Sequence, residues 1–255
     1  VGIELFKSDG TAGGTVNVKD IRVGTSGSGP AHLTNVNGVL YFRAHGGSPS
    51  GEGQELWRSD GTAAGTFLVK DIRPGSLTSN LTSFLNVGGT LYLVANDGTT
   101  GAELWKSDGT DAGTVMIKNI NPGGDSNPAF LTNVNGILYF AANDGVNGLE
   151  LWKSNGTESG TVLVKNINAS GNSGNPIFLT DVNGTLYFAA EDGVNGVEVW
   201  KSNGTEAGTI LVKDIKSGPN SSNPSLFTNL NGIVLFAADD GIAGRELWGS
   251  NGATT

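Results

Sequence analysis

Short apolar runs alternate with polar turn segments along the whole chain, and glycine, asparagine, aspartate and proline recur between the runs. No stretch repeats its apolar residues at the spacing of three and four positions that an amphipathic helix requires. Apolar runs bounded by such turn residues predict β-strands. In the segment 128–167, the pattern predicts four strands over 130–134, 137–142, 150–154 and 161–167. Asn135-Gly136, between the first two, favours a type I′ hairpin because both of its positions need positive φ.

This four-strand unit recurs along the chain. The successive gaps between copies of its most regular motif are 51, 48, 47, 48 and 48 residues. Four short strands per period, repeated radially, are typical of a β-propeller. The sequence therefore predicts a single domain over residues 1–255, with five repeats and a partial sixth copy at 245–255. The motif, Glu-Leu-Trp-x-Ser-Asp/Asn-Gly or a one-residue variant of it, begins at Glu4, Glu55, Glu103, Glu150, Glu198 and Glu246.

The predicted fold is all-β: a five-bladed β-propeller of four-stranded antiparallel blades. We expect the ring to be closed by interleaving N- and C-terminal strands, with the N-terminal strands completing a blade begun by 226–230 and 233–238. Such closure removes an open sheet edge. One third strand, Glu4–Ser8 or Glu246–Ser250, is then surplus, and it is either displaced or paired with another molecule. The prediction is a monomer or a strand-swapped oligomer, and a longer parent with more blades is the alternative.

A fixed spacing links the third and fourth strands of the repeat. In five copies, a lysine follows the motif glutamate by 15 residues. If Trp152 faces Leu163 across the two strands, then Glu150 faces Lys165. The spacing therefore predicts one cross-strand ion pair in each repeat.

Charge and composition narrow the classes of partner. The formal net charge is −9 and the isoelectric point is about 4.6, so the chain lacks the basic surface that nucleic acids or anionic membranes require. No run approaches the length of a membrane span, so we expect no membrane insertion. Without cysteine, disulfides and thiolate sites are excluded. Glycans and cations remain as ligands.

The repeated motif resembles that of the ELWxxDGT repeat family of large, mostly exported bacterial proteins. The resemblance covers essentially the whole chain, and it implies a propeller-like repeat protein that is secreted or at the cell surface, without an established chemistry. More loosely, five blades of this length resemble the tachylectin-type lectins, which bind amino sugars. Asp9, Asp60 and Asp108 match the family's aspartate, whereas Asn155, Asn203 and Asn251 depart from it and Phe6 departs from its tryptophan.

The sequence contains no recognisable set of catalytic residues. His32 and His45 are the two histidines, and no nucleophile-elbow motif accompanies them. Carboxylates recur in every repeat, whereas an active site usually needs one unsymmetrical set. We therefore predict no catalytic residues and no enzyme, with a carboxylate pair for glycoside hydrolysis as the enzymatic alternative.

The candidate ligand residues lie in two kinds of loop, which a four-stranded blade brings to one face. Their carboxylates and amides suit sugar hydroxyls and also Ca²⁺. The alternative is that Asx-Gly and Asn-Pro simply form turns. The second-to-third-strand loops carry Asp97, Asp144, Asp192 and Asp240, which are also the metal ligands if any metal binds, and the blade-to-blade loops carry Asn80, Asn127, Asn175 and Asn223.

The first repeat departs from the others. Its segment from Arg43 to Gln54 is about three residues longer and lacks the Asx-Asp-Gly sequence, so it makes one site different or is a tolerated insertion.

Together these patterns predict a non-catalytic, multivalent binding module that recognises carbohydrate and belongs to an exported bacterial protein. No cofactor is required, and Ca²⁺ is an optional ligand. The alternative is a structural, adhesive or protein-binding repeat scaffold without a small ligand. The third interpretation is a glycan-acting enzyme.

Overall fold

The computed structural model describes residues 2–47, 51 and 53–252. Within these residues it contains strands and turns but no helix, and accordingly no helix long and apolar enough to cross a membrane. The chain divides into two compact units, Val1–Asn119 and Ile120–Thr255. The prediction of a single domain over 1–255 stays a prediction.

Unit 1 contains three antiparallel sheets. The first pairs β1 (Leu5–Lys7) with β2 (Val16–Lys19). The second contains β3 (Ala31–Val36), β4 (Val39–His45), β5 (Gln54–Ser59) and β6 (Phe67–Lys70). The third contains β7 (Thr82–Val87), β8 (Thr90–Asn96), β9 (Ala102–Ser107) and β10 (Val115–Lys118).

Unit 2 also contains three antiparallel sheets. The first contains β11 (Ala129–Val134), β12 (Ile137–Asn143), β13 (Leu149–Ser154) and β14 (Val162–Lys165). The second contains β15 (Ile177–Val182), β16 (Thr185–Glu191), β17 (Val197–Ser202) and β18 (Ile210–Lys213). The third contains β19 (Ser225–Leu230), β20 (Ile233–Asp239) and β21 (Arg245–Ser250).

The prediction of an all-β chain of antiparallel sheets is confirmed. In the segment 128–167, the bounds of β11 to β14 differ from the predicted ones by two residues or fewer. The predicted hairpin is also present, since Asn135 has φ 51° and Gly136 has φ 83°. The Asn133 side chain supports this turn by accepting the Gly136 N–H at 2.9 Å. Local turn chemistry therefore defines the repeat unit.

Apolar side chains on both faces of a sheet pack against the neighbouring sheets. In unit 2, Tyr139 and Leu151 of one sheet meet Phe188 and Trp200 of the next in one buried cluster. Burying a large apolar side chain contributes about 1.5–3 kcal/mol. This packing explains why the strands are apolar on both faces and why the motif tryptophan is buried in these repeats.

In four of the sheets, a buried glutamate ties the sheet to the segment that begins the next one. Glu150 is fully buried on β13. Its carboxylate accepts the N–H of Ile167 at 2.8 Å, of Asn168 at 3.4 Å and of Gly174 at 2.7 Å. Ile167 and Asn168 follow β14 of the same sheet, whereas Gly174 leads into β15. Glu4, Glu55 and Glu198 accept N–H bonds from the residues 17 and 24 positions later in the same way.

The predicted ion pair between Glu150 and Lys165 is wrong. Trp152 does face Leu163, but the register shifts between Leu151 and Trp152, so that Lys165 lies opposite Leu151. Glu150 pairs with Ala142 of β12 but has no partner residue on β14, and its carboxylate accepts backbone N–H groups instead. Backbone N–H groups, which the sequence pattern does not display, are therefore its partners.

The described residues do not show the predicted interleaving of the chain ends. β21 occupies the place beside β20, in a sheet of three strands, and β1 pairs with β2 in a sheet of two. Both end sheets expose apolar side chains: Leu247 is 75% exposed and Phe6 is 53% exposed. Equivalent positions in the complete sheets, such as Val199, are buried.

We predict that Glu150→Ala lowers the free energy of unfolding by at least about 2 kcal/mol, because three buried N–H donors lose their acceptor. Glu246→Ala is the matched control, since Glu246 has the same place in the motif but is exposed; its effect should stay within about 0.5 kcal/mol. Urea unfolding measures both. Equal effects of the two substitutions would refute the role given to the buried carboxylate.

We also predict that stability falls as the pH rises from 5 to 8. Burial raises the pKa of Glu55 to about 7, against hydrogen bonds from Ser79 and Ile72 that lower it. Burial likewise raises the pKa of Glu150 and of Glu198. The folded state therefore binds more protons than the unfolded chain over this range, and this contribution is lost as the pH passes through the folded pKa.

Urea titrations at both pH values check this dependence. They are best made with His32→Gln, because burial lowers the pKa of His32 and its titration opposes the trend. Stability that is constant or increases from pH 5 to 8 would contradict the prediction.

Candidate functional site

The two kinds of predicted ligand loop lie side by side within a unit. Leu149, which ends the β12–β13 loop, donates its N–H to Ser173 Oγ at 2.9 Å. Its carbonyl accepts the N–H of Asn175 at 3.0 Å. Val197 makes the equivalent bond to Ser221 Oγ at 2.9 Å. The structure therefore brings the backbones of these loops together, although no described hydrogen bond joins their predicted ligand side chains.

The four predicted aspartates stabilise their own turns. Asp144 Oδ1 accepts the N–H of Val146 at 2.9 Å and of Asn147 at 2.7 Å, and its Oδ2 accepts the Asn147 amide at 2.7 Å. This is the local bonding by which aspartate favours turns. Asp97, Asp192 and Asp240 accept the same two backbone N–H groups of their own loops.

Hydrogen bonding keeps these turn carboxyls ionised. Partial burial, the largest single effect on Asp144 and Asp192, raises the pKa, but the bonds from the turn together outweigh it and the pKa is lowered. At Asp240 the N–H groups of Ala243 and Ile242 lower the pKa directly. Carboxylates in this state can accept hydrogen bonds, whereas they are weak bases and poor proton donors.

The four predicted asparagines have left-handed backbones. The φ angles of Asn80, Asn127, Asn175 and Asn223 are 52°, 45°, 47° and 48°. Asparagine tolerates this conformation better than other residues with a side chain, apart from aspartate. Backbone conformation thus accounts for these residues without a ligand, and all four side chains are exposed. Their ligand role stays a prediction.

Within residues 2–47, 51 and 53–252, little supports a metal site or a functional role for the histidines. No group of three or more His, Asp or Glu side chains is placed there to hold a metal ion. His45 contacts the Gly46 carbonyl through Nδ1 at 2.6 Å, and His32 stacks on Phe84 at 5.6 Å. In the long loop of the first repeat, residues 48–50 and 52 lie outside the described residues.

The first strands carry a feature that the sequence analysis missed. Each of the five contains a β-bulge near its start, for example between Ala129 and Thr132 on β11. The bulged residue has positive φ, which reaches 56° at Phe130 and 58° at Phe178. This conformation costs a bulky residue about 1–2 kcal/mol. Thr132 Oγ1 donates to the Phe130 carbonyl at 2.9 Å and holds the bulge in place.

The bulges turn Phe130 and Phe178 outward, and Phe227, which follows the bulged Leu226 of the next first strand, lies beside them. On three neighbouring first strands of unit 2, the Phe130 and Phe178 centroids are 6.4 Å apart and those of Phe178 and Phe227 are 6.3 Å apart. Phe130 is 43% exposed and Phe178 is 40% exposed, while Phe227 is half-buried against Phe236. We call Phe130, Phe178 and Phe227 the phenylalanine row.

The sequence contains part of the pattern that produces this row. Phe130 and Phe178 each follow an Asn-Pro pair at the same place in consecutive repeats. A regular strand would alternate them with their neighbours between two buried faces. Only the bulge, which the apolar pattern does not reveal, turns the rings toward solvent.

Comparison with known proteins gives structural but not sequence matches. No protein-family model and no curated protein matches the chain. A puromycin hydrolase matches with TM-score 0.57 and 13% identity, over 96% of this chain and 39% of that one. A structure from a study of two prolyl endopeptidases matches with TM-score 0.50 and 11% identity, over 86% and 34%. A GH43 endo-arabinanase from Bacillus licheniformis matches with TM-score 0.29 and 15% identity, over 87% and 92%.

These likenesses correct the functional prediction. The fold is propeller-like, and the chain spans only about two fifths and one third of the first two enzymes. The prediction of a non-catalytic carbohydrate-binding module that is not an enzyme is wrong, because the two structures that match with TM-scores of 0.57 and 0.50 are of hydrolases. At these identities the likeness itself shows the fold alone.

We predict that Asn127→Ala lowers the free energy of unfolding by about 1 kcal/mol, because alanine is strained at positive φ, whereas Asn127→Gly changes it by a few tenths. Asn172→Ala is the control, since Asn172 is exposed and its φ is not positive. Urea unfolding of the three variants measures the difference. An Asn127→Ala effect no larger than that of Asn172→Ala would show that backbone conformation does not explain this residue.

Proposed function

We propose that this chain is the β-propeller part of a hydrolytic enzyme. The observation that carries the proposal is the structural likeness to a puromycin hydrolase over 96% of the chain. The likeness to a prolyl endopeptidase structure supports it. In this proposal the four-stranded sheets are blades, and five blades form the propeller.

The described carboxylates divide into two chemical classes. The buried glutamates, such as Glu150 and Glu198, have a raised pKa but no exposed surface, because backbone donors surround them. The turn aspartates, such as Asp144, face solvent and are ionised. In a hydrolase, a turn aspartate suits a role in orienting a substrate, because its lowered pKa makes it a weak base and a poor proton donor.

The same proposal includes the location of the protein, which the repeat motif supports. The motif Glu-Leu-Trp-x-Ser-Asp/Asn-Gly resembles the ELWxxDGT repeats, which supports an exported bacterial protein, secreted or at the cell surface. The net charge of −9 favours neutral polar substrates over nucleic acids.

An assay of the natural polypeptide that contains this sequence tests the proposal. We expect hydrolysis of a member of one substrate panel, either neutral polysaccharides, followed by reducing ends, or peptides and aminoacyl amides, followed by released amines. Turnover should exceed the uncatalysed rate by at least about a millionfold, as is usual for enzymes.

Two controls exclude a contaminating hydrolase. The activity must co-elute with the protein through two unrelated chromatographic steps. It must also disappear over the temperature range in which circular dichroism reports unfolding of the strands. If no substrate of either panel is turned over by the folded protein, the proposed function is wrong.

A further inference from the structure

We propose that the phenylalanine row stacks on the sugar rings of a neutral glycan, and that such a glycan is the substrate class of the hydrolase proposed above, on which this inference rests. The row consists of Phe130, Phe178 and Phe227, on β11, β15 and β19 of unit 2.

The rings lie on neighbouring strands but at two positions of the repeat, because Phe130 and Phe178 are bulged residues whereas Phe227 follows the bulged Leu226. One ring comes from each of three neighbouring first strands, with centroid separations of 6.4 and 6.3 Å. The Thr132 hydroxyl donates to the Leu179 carbonyl at 3.1 Å and fixes β11 against β15. The two outer-facing rings therefore sit on a rigid framework, which suits a ligand that repeats along its length.

Two energetic costs oppose the exposure of the rings. Phe130 and Phe178 are 43% and 40% exposed, so much of each ring contacts water. Both rings are also carried by residues with positive φ, where most side chains are disfavoured. A strained backbone that holds a contiguous apolar patch at the surface is typical of a binding site.

Polar groups beside the row match a sugar in chemistry. The exposed amides of Asn127 and Asn175 stand three residues before Phe130 and Phe178, and an amide both donates to and accepts from hydroxyl groups. These two repeats thus each offer one apolar ring and one neutral amide. A sugar ring presents the complementary surfaces, with apolar C–H faces and a rim of hydroxyls.

The charge of the row favours a neutral ligand. The segments 126–134, 174–182 and 222–230 contain no lysine, arginine or histidine. Their single acidic residue, Asp181, accepts the N–H of Gly184 at 2.8 Å in the hairpin at the far end of β15. The basic group that reaches these strands is Arg245, which donates to the Asn223 carbonyl at 3.1 Å and to Ser225 Oγ at the start of β19. The segments of β11 and β15 themselves carry no basic side chain that could pair with a phosphate, a sulfate or the carboxylates of an acidic peptide.

The binding test uses the folded chain and three neutral probes: cellohexaose, xylohexaose and arabinohexaose. Isothermal titration calorimetry gives the affinity, and amide NMR shifts locate the contact. We expect at least one probe to bind, and the double variant F130A/F178A to weaken it by roughly tenfold or more, since each aromatic contact is worth about two- to tenfold.

Matched controls separate binding from folding. V146A/V194A removes two exposed apolar side chains from loops of the same two repeats, and it should leave the affinity unchanged. F130Y/F178Y keeps both ring faces and should bind within about twofold of the unmodified chain. If F130A/F178A fails to fold, N127G/N175G replaces it, because glycine retains positive φ and removes the amides.

The outcomes are distinct. Absence of binding to all three probes, binding that F130A/F178A and N127G/N175G leave unchanged, or preferential binding of peptides would overturn the glycan row. Glycan binding by a polypeptide that hydrolyses nothing leaves the row standing and overturns the proposed function. If F130A/F178A hydrolyses its substrate with an unchanged KM, the glycan row is overturned and the proposed function stands, because loss of a substrate contact at the row would raise KM.

Discussion

The buried glutamate of each repeat is the interaction on which the rest of the structure depends. Its two carboxylate oxygens accept N–H groups from the end of its own sheet and from the segment that starts the next. Such donors would otherwise be buried without partners, which costs more than a hydrogen bond gains. One side chain therefore fixes the passage from sheet to sheet, and apolar packing between the sheets supplies the larger share of the stability.

Hydrogen bonding and backbone conformation also distinguish structural residues from candidate functional ones. Features that recur in every repeat have a local explanation: Asp144 caps its own turn, Asn127 adopts positive φ, and Asn155 replaces Asp108 with the same bonds to the following threonine. An amide replaces a carboxylate in such a turn because only the shared carbonyl oxygen is used. The phenylalanine row differs, since neither turn formation nor core packing requires exposed rings on a strained backbone.

The carboxylates also show why the functional prediction failed. Counting acidic residues in each repeat suggested equivalent weak sites and no active centre. In the structure, equivalent positions differ in environment, because Glu150 is fully buried whereas Glu246, at the same place in the motif, is exposed. The likeness of the fold to two hydrolase structures supports the proposal of an enzyme. Repetition in sequence thus does not exclude an unsymmetrical site.

The sequence by itself determined the features that depend on near neighbours. Apolar periodicity and turn residues placed β11 to β14 within two residues, and Asn135-Gly136 defined its hairpin, because these choices depend on local φ preferences and side-chain spacing. The tertiary structure decided the rest. The partners of Glu150, the place of β21 beside β20 and the outward turn of Phe130 all depend on bulges and backbone donors distant in sequence, which no pattern of side chains records.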